Sequence, residues 1–180
     1  MSKSQMLLEA ADIERIITRM TYEIVENRKD IDNLALIGIH TRGVFLARRI
    51  RAKLKEIEGI EIPAGDMDIN LYRDDWTRIS QQPIVRKTDI AFSVDEKPII
   101  LIDDVLFTGR TIRAAMDALM DFGRAARIEL GVLIDRGHRE LPIQANYTGK
   151  YIKTRPDEAI NVRLSESDGM DRVELVSNGA

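Results

Sequence analysis

Residues 99–111 read IILIDDVLFTGRT. The run from Pro98 to Ile102 is continuously apolar and mostly β-branched, which predicts a strand buried on both faces. It delivers two adjacent carboxylates, Asp103 and Asp104, to its carboxyl end. Asp103 to Thr111 reads as a loop, and Ile112 to Phe122 as a helix that Gly123 can end. In open α/β sheets ligands bind beyond the carboxyl ends of strands. A helix start offers unpaired N–H groups and the positive end of a dipole, which favour a phosphate. Gly109 lets the chain turn tightly and approach an anion, and Thr108 and Thr111 add hydroxyl donors. The two acids repel a phosphate but accept hydrogen bonds from a sugar diol, or act beside a metal ion. The stretch therefore asks for a ligand with a phosphate at one end and hydroxyls at the other. The glycine-lysine pattern of a P-loop is absent, and no GxGxxG follows a strand.

Outward from this stretch the chain alternates strands and helices. Ile13, Ile16, Ile17, Met20 and Ile24 share one face of a helix over 9–29, and Arg15, Thr18, Arg19 and Tyr22 lie opposite. Leu34 to Ile39 predicts a buried strand, ending in His40-Thr41-Arg42-Gly43. A second helix follows, with Val44, Leu46, Ala47, Ile50 and Leu54 apolar. Residues 66–72 alternate and predict a half-exposed strand. Arg73 to Lys97 is polar and reads as a long loop, with Trp76 a local packing anchor. Arg127 to Ile134 predicts another strand, followed by DRGHRE. Shorter strands are predicted at Ile160 to Leu164 and Val173 to Val176, and Met116 and Met120 are expected in the core. The pattern is an α/β fold, a mostly parallel sheet covered on both faces, in one domain over 1–180.

Composition narrows the chemistry. The chain has 180 residues and no cysteine, which excludes disulfides, cysteine-held metals and a thiol nucleophile. Two histidines, His40 and His138, are too few for a histidine-clustered metal. A net charge of -3 speaks against wholesale nucleic-acid binding but leaves room for a local basic patch. No apolar run reaches the roughly 20 residues that span a bilayer, and MSKSQMLLEAAD has no signal-peptide core. A cytoplasmic protein with no membrane partner is the expectation.

The stretch 99–111 resembles the phosphoribosyl-pyrophosphate (PRPP) motif of type I phosphoribosyltransferases. With GIHTRGVFLARRI, INLYRDD and VLIDRGHRELPIQANYTGK, the chain from about Asp12 to Val176 resembles the pyrimidine-operon attenuation regulators that also act as uracil phosphoribosyltransferases. The resemblance implies a twisted parallel sheet flanked by helices, with a small hood and a flexible active-site loop at about 73–97. It implies that Asp103 and Asp104 hold the ribose hydroxyls. Val105, Leu106, Phe107, Thr108, Gly109, Arg110 and Thr111 would cradle the 5-phosphate, and Thr41, Arg42 and Gly43 the pyrophosphate. Arg73 would be a loop contact to phosphate. Arg136 would donate to a uracil carbonyl, with Val162 flanking the base. Mg2+ would arrive with PRPP, and the product would be UMP.

The same resemblance implies a nucleotide-dependent RNA face on Thr18, Arg19, Arg139 and Lys150, reading an operon leader mRNA. Family members that bind RNA tend to carry His or Arg where this chain has Tyr22, Asn27 and Gln144, which weakens the electrostatic footprint. A homodimer or higher homo-oligomer is implied as well. Three readings stand at this point: a uracil phosphoribosyltransferase, a nucleotide-sensing RNA regulator with modest catalysis, and a transferase for another base.

Overall fold

The computed structural model describes residues 3–72 and 87–177. Strands β2 (Ala35–Ile39), β3 (Ala64–Met67), β4 (Pro98–Leu106), β5 (Arg127–Asp135) and β6 (Tyr147–Tyr151) form one parallel sheet, in the order β3-β2-β4-β5-β6. The central strand β4 is apolar on both faces because both are covered. Ile100 and Ile102 pack with α1 (Ala10–Glu26) and α2 (Arg42–Glu58), while Ile99 and Leu101 pack against α3 (Arg110–Met120). The helical face read from the sequence is the buried one: Ile13, Ile17, Met20 and Ile24 of α1 are all in the core.

A second, antiparallel sheet in the order β1-β8-β7 forms the hood. It joins β1 (Lys3–Glu9), β7 (Glu158–Arg163) and β8 (Arg172–Ser177), with the short helix α4 (Ser165–Asp168) between the last two. The hood buries Leu8, Ile160, Val162, Leu164 and Val173 in the same core as α1 and α2.

Five expectations change. β4 runs on through both acids to Leu106, so the loop shrinks to Phe107–Gly109 and α3 begins at Arg110. Pairing with β5 as far as Leu106↔Asp135 carries the strand past its apolar run. The strand predicted at 66–72 lies at Ala64–Met67, and a 3-10 turn over Asn70–Tyr72 turns Leu71 out to 73% exposure. Met120 ends α3 at 64% exposure rather than in the core, while Met116 packs against it. Strands β1 and β6 had no sequence signal of their own. β6 (YTGKY) is a polar edge strand whose Gly149 sits where a Cβ would lie 2.3 Å from the Leu133 carbonyl oxygen, because α1 presses on it. Residues 87–97, read as the end of a free loop, are tied down: Asp89 and Asp66 exchange backbone hydrogen bonds of 2.8 and 2.9 Å, and Val94 is buried. Trp76 and Arg73 lie outside the described residues. No helix among the described residues is long and apolar enough to cross a membrane.

Candidate active site

The twin acids sit near the carboxyl end of the central strand of the sheet. Asp103 is 6% exposed and its Oδ1 accepts the Asp104 N–H at 2.9 Å; Asp104 Oδ1 accepts the Val105 N–H at 2.8 Å. Burial pushes the Asp103 carboxyl well above the usual carboxylate range, and the neighbouring Asp104 charge adds to it. Burial raises Asp104 too, but Arg42 opposes the rise. Two carboxylates this close share a titration, so the pair retains a proton above the pH at which a lone aspartate loses it. The pair thus offers acceptor oxygens to a diol.

The chain leaves β4 through a turn closed by Gly109, whose φ of 94° only glycine adopts cheaply. Thr108 Oγ1 accepts the Arg110 N–H at 3.3 Å, and the Gly109 carbonyl accepts the first helical bond from Arg113. Behind the turn, the Glu140 and Leu141 N–H groups donate to the Thr108 carbonyl at 2.9 and 3.2 Å, and Arg110 pairs with Glu140 at 2.7 Å. The turn is thereby fixed where it enters α3, the helix end whose unpaired N–H groups suit an anion.

The second turn, after β2, contains a cis peptide between His40 and Thr41. It is wedged against β4. A Cβ on Gly43 would lie 2.3 Å from the Ile102 carbonyl oxygen, and one on Gly38 would lie 2.4 Å from Val44 Cα. These two contacts bring the start of α2 beside Asp103. Arg42 points into a cleft of about 290 Å³ shared with Asp104, Ile160, Val162 and Asp168. Its guanidinium donates twice to Asp168 of the hood, Nε to Oδ2 at 3.1 Å and Nη2 to Oδ1 at 2.8 Å.

A family model described as a phosphoribosyl transferase domain matches residues 3–165. Proteins called bifunctional protein PyrR match over nearly the whole length. That of Oceanobacillus iheyensis is 55% identical over 97% of this chain and 98% of its own, and that of Deinococcus deserti 54% over 94% and 92%. The chain belongs to the PyrR family of phosphoribosyltransferases. Its fold is that of type I phosphoribosyltransferases: a Trypanosoma cruzi hypoxanthine phosphoribosyltransferase superposes with a TM-score of 0.71 at 15% identity, covering 98% of this chain and 97% of that one. A Staphylococcus aureus hypoxanthine phosphoribosyltransferase gives 0.69 at 20% identity, over 94% and 90%.

Within this PyrR-family chain, the motif acids, the 105–111 turn and the 41–43 turn come together at one end of the sheet. Other expected residues are placed differently. The Arg136 side chain is buried beneath Phe107, with its guanidinium carbon 3.9 Å from the ring centroid. Its N–H groups go to Thr154 Oγ1 at 3.1 Å and to the carbonyls of Arg155 and Glu158 at 3.4 and 2.7 Å. Burial lowers its pKa somewhat. Arg136 therefore ties β5 to β7 and supports Phe107. Val162 is a core residue on β7 that also lines the Arg42 cleft. Arg139 turns inward, donating to the carbonyls of Ile143, Phe107 and Gly137 and pairing with Asp135. Arg19 reaches across to the Thr148 and Gly149 carbonyls of β6, and Lys150 lines the adjoining cleft. Thr18 spends its hydroxyl on the Glu14 carbonyl at 2.9 Å. Tyr22 is 49% exposed on the same helix.

Asp168 and Arg49 were not legible as site residues. Both lie far in sequence from the residues they serve, and an acid in a short SESDGMD run looks like any solvated turn. Arg49 pins α2 to the hood, donating to Glu166 at 2.6 and 2.8 Å, Asp171 at 2.7 and 2.8 Å and Ser165 at 3.0 Å. Those carboxylates hold its pKa above the ordinary arginine value. Arg49→Ala strands Asp171 half-buried without its partner, and its expected cost is about 2 kcal/mol, below the value for a fully buried pair. A urea midpoint equal to wild type would contradict this.

Proposed function

We propose that the protein transfers the 5-phosphoribosyl group of PRPP to N1 of uracil, giving UMP and pyrophosphate, and that UMP in the site controls its binding to a pyrimidine-operon leader RNA. The observation that carries the transfer is the carboxylate pair on β4 running directly into the left-handed Gly109 and the start of α3. In this reading Asp103 and Asp104 take the ribose hydroxyls. The turn from Val105 through Leu106, Phe107, Thr108, Gly109 and Arg110 to Thr111 takes the 5-phosphate. Thr41, Arg42 and Gly43 take the pyrophosphate. The sugar is thus held at both ends, which fixes the anomeric carbon for in-line displacement. The bond to pyrophosphate breaks as the bond to N1 forms, and positive charge grows on the ring as in glycoside chemistry. The nearby carboxylates stabilise that charge, and Arg42 stabilises the departing oxyanion.

Among the described residues no three His, Cys, Asp or Glu side chains converge as a metal cage. The acid pair suits an ion that comes with its polyphosphate, and Asp103 and Asp104 would hold it. When bound, Mg2+ supplies neutralisation of charge on the leaving group. Arg73 belongs to the same reading as a phosphate contact. The base lies toward Phe107 and β7, where Arg136 and Val162 shape the wall.

Purified protein with Mg2+ and PRPP, offered uracil, orotate, hypoxanthine or adenine, is expected to release pyrophosphate with uracil. Turnover of another base instead would reassign the substrate, and turnover of none would remove the transferase reading.

For RNA, Thr18, Arg19 and Lys150 form the accessible face. Arg139 contributes by holding the segment that follows β5. The groove along α1 is lined by Arg15 and Arg19 but also by Glu14, Glu23 and Glu26, so acids outnumber bases there. RNA binding should therefore be only shallowly salt-dependent. Each single-strand phosphate contact contributes a slope of about -0.7 in log K against log salt. Arg19→Gln with Lys150→Gln is expected to remove about 1.4 of that slope. An unchanged slope places the RNA elsewhere. A homodimer or higher assembly completes the reading, and sedimentation tests it.

A further inference from the structure

We propose that Asp168 of the hood is a positioning residue for the transfer reaction. It fixes one edge of the Arg42 guanidinium so that the opposite edge faces the pyrophosphate. The inference rests on Arg42 being a pyrophosphate ligand.

The geometry is that of a fork. Asp168 engages Nε and Nη2 of Arg42 side-on. A guanidinium carries five N–H donors, so Nη1 and the second N–H of Nη2 form another edge, free to take a second bidentate partner. Asp168 is itself immobilised. Its Oδ2 accepts the Leu164 N–H at 3.0 Å and the Ser167 hydroxyl at 2.7 Å. The Arg49 contacts to Glu166 and Asp171 lock the surrounding α4 segment onto α2.

A competing partner explains why the fork is needed. Arg42 shares its cleft with Asp104, and the two attract. Left to itself, the guanidinium would swing onto that acid, quenching a ribose acceptor and removing the cation from the leaving group. Asp168 offers two oxygens in the preferred planar geometry and holds it away. Arg42 is held above, and Asp168 well below, the ordinary values, chiefly by their mutual hydrogen bonds, so both stay charged across the working range.

The test is pyrophosphate binding by calorimetry with Mg2+, using full-length variants, together with steady-state kinetics. Asp168→Asn is expected to weaken pyrophosphate roughly tenfold or more, as expected for a lost orienting contact, and to raise KM for PRPP. UMP, which lacks the pyrophosphate, should bind within roughly twofold of wild type. Val173→Ala loosens the hood core on β8 without touching α4 or Arg42. It should lower Tm and leave pyrophosphate binding unchanged, so hood destabilisation alone cannot mimic the effect. Asp168→Glu, which restores a carboxylate, should recover part of the affinity. Wild-type or tighter pyrophosphate binding by Asp168→Asn overturns the proposal. Arg42→Gln separates this outcome from failure of the underlying reading. If Arg42→Gln loses pyrophosphate and Asp168→Asn does not, only the positioning role falls. If both bind normally, Arg42 is not a pyrophosphate ligand.

Discussion

Replacing both motif acids, Asp103→Asn with Asp104→Asn, is expected to cut kcat/KM for PRPP by about a thousandfold while making the folded protein more stable at neutral pH. The loss follows from hydrogen-bond strength: a bond to a charged acceptor is worth about 1.5–3 kcal/mol, and two are weakened together. The gain follows from linkage. Burial raises the Asp103 carboxyl, and its neighbour raises it further, so the folded state holds protons more tightly than the unfolded one. Between the ordinary aspartate pKa and the raised value, stability therefore falls as pH rises. Asparagine removes that cost and keeps the acceptor oxygens for the Asp104 and Val105 N–H groups. Thermal melts from pH 4 to 8 should show the variant losing less stability than wild type as pH increases. A double variant that is less stable at pH 7, or that keeps PRPP turnover, would refute the account.

Gly43→Ala is expected to be among the most damaging single methyl additions to the described glycines. The added Cβ would lie 2.3 Å from the Ile102 carbonyl oxygen and 3.2 Å from Asp103 Cα. Both obstacles are backbone of the central strand, which cannot rotate away as a side chain can. Overpacking of this kind costs about 3 kcal/mol, and for a chain of this size about 2–4 °C per kcal/mol, so Tm should fall by roughly 6–12 °C. Relief requires α2 to back off from β4, which carries Thr41 and Arg42 away from the acids, so pyrophosphate affinity should fall with stability. Gly59→Ala is the control. Gly59 has φ of 69° and open space around it, so it pays backbone strain alone, about 1 kcal/mol. Equal Tm losses for the two would mean that the close approach of helix and strand is not the constraint.

The end of the sheet that gathers the candidate site was readable because its signals are local. An apolar run, paired acids, a glycine and a helical period lie within IILIDDVLFTGRT and its neighbours. The two turns that meet there follow parallel strands pairing Leu36 with Ile100, a consequence of the βα alternation itself. What escaped depends on long-range contact. β1 is recognisable only beside β8, Arg49 and Asp168 acquire roles only when α4 lies on α2, and β4 is prolonged through its acids by β5. Arg136 and Arg139 illustrate the converse. The resemblance implies a base contact for Arg136 and an RNA contact for Arg139, yet carbonyl oxygens of the surrounding chain accept from both. A sequence shows that a guanidinium is present but not which acceptors the fold will bring to it.

The pairing of Lys3 with Ser177 has a consequence for biosynthesis. On the ribosome β1 emerges before the five-strand layer, while β8, its sheet neighbour among the described residues, follows that layer in the chain. The five-strand layer can condense beforehand, since each of its pairings closes over a shorter separation. In the reading proposed above, a nascent chain would carry the 41–43 and 105–111 turns before Asp168 emerges to restrain Arg42, so leaving-group capture would be completed only once the hood has been made.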